Sequence, residues 1–332
     1  MQNHELWLID HSRVSVGGCN LLMTLTGISS LRHEQTVRKA VECSGVGLHS
    51  GAPVRVRILP APPGTGIVFR RVDLDGFEVE AVGPNLARVS YATSLMKKGV
   101  LISTTEHLLS ALMGTGIDNA IVELNNLELP ILDGSSQPFV DLIFKAGIQR
   151  QRRARTYLKI RRELHLRERG KYIAVYPSQT YSVSYSIDFP HSLIGRETFT
   201  LHLENGSYVR EIAPARTFGF RDDERAMRNM GLIRGASQEN CIVLTKNGIE
   251  NPPLRFADEF VRHKVLDLVG DLALLGKQIL GNVVADRAGH AMHTALVSRL
   301  LRDKTLWEET TVEEEEASSV EQQIPTTAPT LV

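Results

Sequence analysis

Two matching helical segments, one in each half of the chain, limit the folds that this sequence can adopt. Residues 107–114 (HLLSALMG) align with residues 263–270 (HKVLDLVG). In both segments a histidine occupies the same phase of a helical pattern, a glycine ends the aligned stretch, and a pattern typical of a strand follows. The match is short. It predicts an internal duplication, in which two similar α+β halves face each other and bring one histidine from each half to their seam.

The predicted division of the chain into domains follows from these two matching helical segments. The chain has 332 residues, enough for about two domains. We place the first α+β half at residues 34–155 and the second at residues 156–302. Residues 1–33 show no clear periodicity, which predicts a disordered extension or an upstream start codon, with Met23 as the alternative start. Residues 303–332 are acidic and then rich in Ser, Thr, Gln and Pro, and we expect this tail to be disordered.

Hydrophobic periodicity predicts the elements of both halves. In the first half it predicts strands at residues 54–58, 77–82 and 119–124, and helices at residues 103–113 and 138–146. In the second half it predicts strands at residues 157–162, 181–187 and 279–285, and helices at residues 222–230, 256–275 and 288–301. The strand over residues 157–162 alternates charged with apolar side chains, so we expect one of its faces to be solvated.

His107, His263 and Asp267 form a candidate metal-ligand set. His263 and Asp267 are four residues apart on a predicted helix, so they project from nearly the same face. His107 would complete a site with two histidines, one carboxylate and an open fourth position, which is the arrangement of a hydrolytic zinc centre. Such a centre lowers the pKa of a water molecule towards neutrality. Glu106, next to His107, is the candidate base that would take a proton from that water as it attacks an acyl carbonyl.

Hydrolysis of an amide also needs an acid and a donor that stabilises the oxyanion. His290, in the segment AGH at residues 288–290, is the candidate acid. Asp271 continues the same helical stripe as the candidate ligands, and its charge would orient His290 and keep it cationic. Thr217 offers a hydroxyl donor within the segment ARTFGF, and Lys264 could hold an anionic group of a substrate.

Each of these residues also has an ordinary structural interpretation. His107 could be a hydrogen-bonding histidine near a helix N-terminus, and His263 with Asp267 could form a surface ion pair at i,i+4 spacing. The ion-pair alternative is weakened because the aspartate lies on the core side of an otherwise apolar helix. The candidate acid and its carboxylate partner could each face solvent. The Gly-rich segment around His49 predicts a loop rather than a phosphate-binding cradle, because no helical pattern follows it.

Seven short motifs carry a resemblance to a known family. They are GVGLHSG (45–51), STTEHL (103–108), GIDN (116–119), LDGS (132–135), ARTFGF (215–220), RFADEFVRHKVLDLVGD (255–271) and GHA (289–291). On these motifs, which run in the family's order over about residues 35–302, the chain resembles the UDP-3-O-acyl-N-acetylglucosamine deacetylases, the zinc amidases of lipid A biosynthesis. It departs from the family's pattern at its two ends.

The resemblance implies a fold and a set of roles. The fold would have two related α+β halves, with the helices sandwiched between the two sheets. His107, His263 and Asp267 would bind Zn²⁺, or Fe²⁺ in the cell, because the same ligands suit both ions. Glu106 would be the general base. His290, supported by Asp271, would be a cationic stabiliser or acid, and Thr217 would help to bind the oxyanion. Lys264 would contact the diphosphate side of the substrate, and Phe218 would lie near the sugar and nucleotide. The resemblance also implies an apolar passage for the acyl chain around Met230–Leu244.

The implied reaction is hydrolysis of the 2-acetamido group of UDP-3-O-(3-hydroxyacyl)-N-acetylglucosamine, with release of acetate. Two other functions stay open. The chain could be a different metal-dependent amidase, such as a peptidase, although it lacks the His-Glu-x-x-His motif of the commonest metalloproteases. It could also be a homologue that binds nucleotide sugar or zinc without turnover, although every expected catalytic position is filled.

Composition restricts the partners and the compartment. Residues 303–332 carry a net charge of −7 and residues 1–302 carry +7. No aromatic stacking pattern accompanies the basic stretch between Lys145 and Lys171, so we expect no nucleic-acid partner. Three cysteines without a CxxC pair fit a reducing cytoplasm. Because the chain has no apolar run of about 18 residues, no transmembrane segment is expected. No apolar stripe demands a partner chain, so we expect a monomer.

Overall fold

The computed structural model describes residues 31–87 and 91–314. The first half contains β1 (His33–Val37), β2 (Val41–Val46), β3 (Pro53–Pro60), β4 (Ile67–Arg71), β5 (Phe77–Glu80), β6 (Leu95–Lys97), β7 (Val100–Ile102), α1 (Glu106–Gly114), β8 (Ala120–Leu124), α2 (Gln137–Ala146) and β9 (Ile148–Ala154). The second half contains β10 (Tyr157–Ile160), β11 (Leu164–Glu168), β12 (Lys171–Pro177), β13 (Tyr181–Phe189), β14 (Gly195–His202), α3 (Ser207–Glu211), β15 (Phe218–Phe220), α4 (Arg221–Asn229), β16 (Ile242–Thr245), β17 (Gly248–Ile249), α5 (Glu259–Leu272), β18 (Ile279–Asp286), α6 (His290–Arg302) and β19 (Trp307–Thr310).

The two main sheets share one strand order, which confirms the predicted pair of related α+β halves. The first sheet runs β2-β3-β8-β4-β5, and the second contains β11-β12-β18-β13-β14. In each sheet the middle strand follows a histidine-bearing helix, since β8 follows α1 and β18 follows α5. In these two strand orders each middle strand pairs parallel with one neighbour, β4 or β13, and antiparallel with the other, β3 or β12. The first two residues of β18 also pair parallel with β10. The aligned segments 107–114 and 263–270 are therefore equivalent helices in two copies of one unit.

The helices lie between the two sheets, as the resemblance implied. In the first half α2 packs on β2, and in the second half α5 packs on β13 and β14 while α6 packs on β12. Helix α1 contacts α2 on its own side and α5 on the other side. Apolar side chains of all these elements form one continuous core. Helices α1 and α5 are consequently buried on nearly every face and meet at the seam between the halves.

At this seam the backbones of α1 and α5 come into direct contact. A Cβ atom added to Gly270 would lie 2.1 Å from the carbonyl oxygen of Glu106, so a glycine is needed for this approach. Gly270 is the residue that ends the segment aligned with residues 107–114. The crossing therefore brings the first turn of α1 beside the polar stripe of α5.

One surface prediction is wrong. The strand over residues 157–162 was expected to have a solvated face, but all four residues of β10 are buried. Lys159, the charged residue within it, is only 9% exposed. The reason is that Lys159 has a register partner on each side, Leu280 of β18 and Glu308 of β19, and the side chains of these partners flank it on the same face of the sheet.

The prediction that the chain is disordered from residue 303 onward is also wrong for the residues of β19. Strand β19 pairs antiparallel with β10. The indole Nε1 of Trp307 donates a hydrogen bond to the carbonyl oxygen of Leu300 at 2.8 Å. The carboxylate of Glu309 forms an ion pair with Lys277. Glu308 and Glu309, whose charges favoured a solvated tail, therefore lie on a paired strand, and the ion pair with Lys277 partly neutralises its charge.

Three predicted boundaries can be set against the described elements. Residues 1–30 of the predicted extension (1–33) and residues 315–332 of the predicted tail (303–332) lie outside the described residues. The first half, predicted from residue 34, begins with β1 at His33, and the predicted division at 155/156 falls between β9 and β10. The predicted helix over residues 256–275 is α5 followed by a 3-10 turn at Ala273–Leu275. Among the described residues, no helix is both long and apolar enough to cross a bilayer.

Substitution of Gly270 by alanine tests the importance of the crossing. The new Cβ would meet a backbone carbonyl that cannot move by itself, so α1 must shift away from α5. We expect Gly270→Ala to lower the free energy of unfolding by about 1–3 kcal/mol, as overpacking does in other cores. Gly248→Ala is the control, since the nearest atom to its Cβ is Thr245 Oγ1 at 4.0 Å. Chemical denaturation of both variants makes the comparison, and equal losses would contradict the close crossing.

Candidate metal centre

The three predicted ligands converge where α1 crosses α5. His107 is on the first turn of α1, and His263 and Asp267 are one turn apart on α5. Asp267 Oδ1 lies 3.4 Å from His263 Nε2 and 3.9 Å from His107 Nε2. One ligand atom from each residue lies within 4.8 Å of the other two. All three side chains are buried, so they form a compact group that could hold a metal ion away from bulk water.

The two histidines are in a state that suits a divalent cation. His263 Nδ1 donates a hydrogen bond to the carbonyl oxygen of Ala215 at 3.1 Å, which leaves the lone pair on Nε2, the atom facing Asp267. Burial lowers the pKa of His263 to about 3 and also lowers the pKa of His107, so both imidazoles are neutral at pH 7. His107 Nδ1 is buried with no hydrogen-bond partner among the described residues. Neutral imidazoles beside a carboxylate fit the binding of a metal ion.

Asp267 stays ionised despite its burial. Burial alone would raise the pKa of Asp267, but the positive charges of Lys264 and His290 outweigh it and hold the pKa below its ordinary range. Lys264 Nζ donates to Asp267 Oδ2 at 2.8 Å and lies 5.4 Å from the centre of the Phe218 ring. Lys264, which was predicted to contact the substrate, thus lies beside the predicted metal ligand Asp267. It also lies beside Phe218, the other residue predicted to contact the substrate.

Glu106 is the first residue of α1 and faces the same centre. Its side chain is almost fully buried, and Oε2 accepts a hydrogen bond from the backbone N–H of Thr93 at 3.0 Å. Burial raises the pKa of Glu106 to about 8. The turn before it is strained, since Thr104 has a φ of 57°, and its Oγ1 donates to Glu128 Oε1 at 2.9 Å. A carboxyl with a pKa near neutrality is suited to exchanging a proton.

His290, the first residue of α6, approaches the centre from the other side. Its Nδ1 donates to Asp271 Oδ2 at 2.7 Å. Its Nε2 lies 3.9 Å from Glu106 Oε1 and 3.8 Å from Asp267 Oδ2. Burial would lower the pKa of His290, but the charges of Asp271 and Asp267 outweigh it and raise the pKa to about 10. His290 is therefore cationic at neutral pH and can donate from Nε2.

A cleft of about 490 Å³ opens onto this centre. Thr217 and Phe218 line it, and the backbone N–H of Thr217 donates to the carbonyl oxygen of Gly134 at 2.8 Å. The apolar part of its lining includes Ile131, Phe189, Phe220, Met227, Ile233 and Val243. The cleft thus combines a polar end that can hold a metal with an apolar wall.

The predicted acyl-passage segment closes one side of the cleft. Its backbone N–H groups at Arg234 and Gly235 donate to the carbonyl oxygens of His49 and Leu48, at 3.1 and 3.0 Å. A Cβ atom added to Gly235 would lie 2.2 Å from the carbonyl oxygen of Gly47, so the two loops touch through their backbones. The wall of the cleft is therefore built from both halves.

Two residues of this region were not assigned to the site from the sequence. Thr93 is fully buried and links two candidate catalytic groups, since its N–H donates to Glu106 and its Oγ1 donates to Asp271 at 2.5 Å. It lies in a segment without a motif or a periodic pattern, so no signal in the sequence indicates it. His49 is in a loop, as predicted, and lies on the cleft wall. Its Gly-rich motif was a signal that could have indicated the site.

Comparison with known proteins gives consistent matches over both halves. Residues 34–302 match the family model described as UDP-3-O-acyl N-acetylglycosamine deacetylase. A UDP-3-O-acyl-N-acetylglucosamine deacetylase of Solibacter usitatus is 55% identical over 279 residues, which cover 84% of this chain and 94% of that protein. The protein of the same name from Marinobacter nauticus is 41% identical over 299 residues, covering 89% and 98%. That of an Anaeromyxobacter species is 44% identical over 272 residues, covering 82% and 89%.

Removal of one ligand tests the metal centre directly. Loss of a hydrogen-bonding partner behind a ligand costs about 10–100-fold in metal affinity, so we expect His263→Ala to weaken zinc binding by more than about 100-fold. His202→Ala is the control, because His202 is exposed at the end of β14. Competition with a chromophoric chelator gives the affinities, and circular dichroism checks the fold. Unchanged zinc affinity in a folded His263→Ala protein would remove His263 from the ligand set.

Proposed function

The chain belongs to the UDP-3-O-acyl N-acetylglycosamine deacetylase family, and from this we propose that it hydrolyses the 2-acetamido group of UDP-3-O-(3-hydroxyacyl)-N-acetylglucosamine in lipid A biosynthesis. The products are the free amine and acetate. The observation that carries the proposal is that Glu106, His290 and the three-ligand cluster meet at one end of a cleft with an apolar wall. Such a cleft can hold an amide at its polar end and an acyl chain along its wall.

We propose Zn²⁺ as the resident ion, held by His107, His263 and Asp267, with Fe²⁺ suited to the same ligands. When bound, such an ion acts as a Lewis acid and lowers the pKa of a water molecule. Two neutral imidazoles and one ionised carboxylate support this proposal, because they are the ligand set of hydrolytic zinc sites.

Glu106 is the proposed general base. Its carboxylate takes a proton from the attacking water while the water oxygen forms a bond to the acetyl carbonyl carbon. The N–H of Thr93 binds Oε2, and Oε1 is the oxygen nearer to His290. A base held in this way is oriented before the substrate arrives, which avoids the entropy cost of orienting it later.

His290 is the proposed cationic stabiliser and acid. Asp271 binds its Nδ1, so the proton on Nε2 faces the reacting centre. The carbonyl oxygen gains negative charge when water adds to the carbon, and the cation of His290 with the hydroxyl of Thr217 stabilises that charge. As the C–N bond breaks, the leaving nitrogen takes a proton from His290, which gives the amine and acetate.

The remaining cleft residues are proposed to bind the substrate. Lys264 would contact the diphosphate side, and Phe218 would lie near the sugar and nucleotide. Their contact with each other, at 5.4 Å, places both on one wall of the cleft. The apolar lining around Ile233 and Val243 would accept the acyl chain.

We place this enzyme in the cytoplasm as a monomer with two halves, residues 34–155 and 156–302. The cysteine usage supports the compartment, since Cys43 and Cys241 are free thiols. Burial raises the pKa of both thiols to about 11, so neither is primed to react at neutral pH.

Removal of the base tests the reaction. Glu106→Ala is expected to keep its zinc and to lose about 10²–10⁴-fold in kcat, because this is what a general base typically contributes. Glu168→Ala is the control, since Glu168 is exposed on β11. Acetate release from the acylated nucleotide sugar is measured together with zinc content. A zinc-loaded Glu106→Ala protein with near-normal kcat would overturn the assignment of the base.

The pH dependence of kcat/KM tests the charged pair behind His290. Glu106 must be deprotonated to act, so activity falls on the acidic side as pH drops through its raised pKa. His290 must be protonated, so activity falls on the alkaline side as pH rises through its raised pKa. Asp271→Asn removes a charge that raises the pKa of His290, and the alkaline limb should move to lower pH.

The control for this profile is Asp188→Asn, because Asp188 is exposed on β13. It should leave both limbs in place. An alkaline limb that stays unchanged in Asp271→Asn would show that the limb does not report the His290–Asp271 pair.

A further inference from the structure

A second histidine, His293, binds the carboxylate that supports His290. Asp271 Oδ2 accepts hydrogen bonds from His290 Nδ1 at 2.7 Å and from His293 Nδ1 at 2.8 Å. The other oxygen, Oδ1, accepts from Thr93 Oγ1 at 2.5 Å. Asp271 and His293 are completely buried. The carboxylate is therefore held by three donors, and two imidazoles share one of its oxygens.

The far side of His293 contacts the second sheet. Its Nε2 lies 3.0 Å from the hydroxyl oxygen of Tyr185 on β13. That hydroxyl donates to the carbonyl oxygen of Ala288, just before α6, at 2.7 Å. Tyr185 is itself completely buried. His293 thus joins the sheet and the start of α6 to the carboxylate on α5.

We propose that His293 is a positioning residue for His290, an inference that rests on the proposed deacetylase function. A carboxylate with one partner can rotate about its Cβ–Cγ bond, whereas the additional donors His293 and Thr93 fix both oxygens of Asp271. The fixed oxygen then fixes the ring of His290 through Nδ1. As a result His290 Nε2 stays within 4 Å of Glu106 and Asp267, where the leaving nitrogen is protonated.

The alternative role for His293 is simply to fill space in the core. A core position of this kind needs volume, and an apolar side chain fills it without desolvating polar atoms. The structure instead places a donor against the carboxylate that orients the acid, at hydrogen-bond distance on both ring nitrogens. A space-filling role predicts that stability responds to substitution and that kcat follows only the folded fraction. A positioning role predicts that kcat depends on a donor at the Nδ1 position.

Two polar substitutions separate these roles. The side-chain nitrogen of asparagine can occupy the position of His Nδ1, so His293→Asn keeps the donor to Asp271. The longer glutamine places its nitrogen near the position of Nε2, so His293→Gln keeps the contact with Tyr185 and loses the donor to Asp271. Thr294→Val is the control for disturbance of this helical turn, because in the described part of the chain Thr294 Oγ1 donates to the backbone carbonyl oxygens of His290 and Ala291 and not to Asp271.

The experiment measures kcat, KM, zinc content and melting temperature of the full-length, zinc-loaded proteins on the acylated nucleotide sugar. We expect His293→Gln to lose about 10–100-fold in kcat with unchanged KM and zinc content, the range typical of outer partners of a site. His293→Asn and Thr294→Val should stay within about threefold of wild type, well short of that range. Equal kcat in the Asn and Gln variants would overturn the proposal.

A second readout separates this proposal from the proposed function. In protein with ¹⁵N-labelled histidine, the low-field proton resonance of His290 Nδ1–H reports its hydrogen bond to Asp271. We expect this resonance to shift or broaden in His293→Gln and to stay in place in His293→Asn. If wild type releases no acetate, the proposed function fails while the resonance still decides the role of His293. A resonance that is the same in wild type and both variants would overturn the proposed positioning role of His293.

Discussion

The crossing of α1 and α5 is the contact on which the site depends. Neither half of the chain holds the proposed ligand set alone, since His107 comes from one half and His263 with Asp267 from the other. Gly270 lets the backbone of α5 touch the carbonyl oxygen of Glu106, and this contact sets the distance between the two polar stripes. Because the two helices are equivalent elements of a duplicated unit, the duplication itself creates the seam at which the chemistry can occur.

Burial shifts the pKa values of acids and bases at this seam in opposite directions, because it always disfavours the charged form of a group. It keeps His263 neutral and raises the pKa of Glu106 to about 8. Asp267 and His290 stay charged, since each lies close to charges of the opposite sign. The proposed mechanism needs this combination, in which neutral and anionic ligands, a base and a cation share a small space. The positive charge of His290 depends on the charge of Asp271, whose carboxylate accepts three hydrogen bonds.

The sequence predicted those features that depend on local spacing. The helical repeat and the two glycines that end it indicated two related halves, and the i,i+4 spacing placed His263 and Asp267 on one face. Features that depend on distant partners were not predictable in this way. Strand β19 has the composition of a solvated tail, and it is ordered because β10, from the start of the same half, pairs with it. Thr93 contributes through its backbone N–H, which any residue type could supply, and through a hydroxyl whose partner lies on α5.

The most direct measurement is acetate release from UDP-3-O-(3-hydroxyacyl)-N-acetylglucosamine by the protein as purified, after chelation, and after zinc is restored. The proposed site predicts that acetate release stops when the metal is removed and returns when zinc is added, because the proposed ligands are two neutral histidines and one ionised carboxylate. A folded, zinc-loaded protein that releases no acetate would contradict the substrate. Release that continues after complete removal of metal would contradict the metal centre.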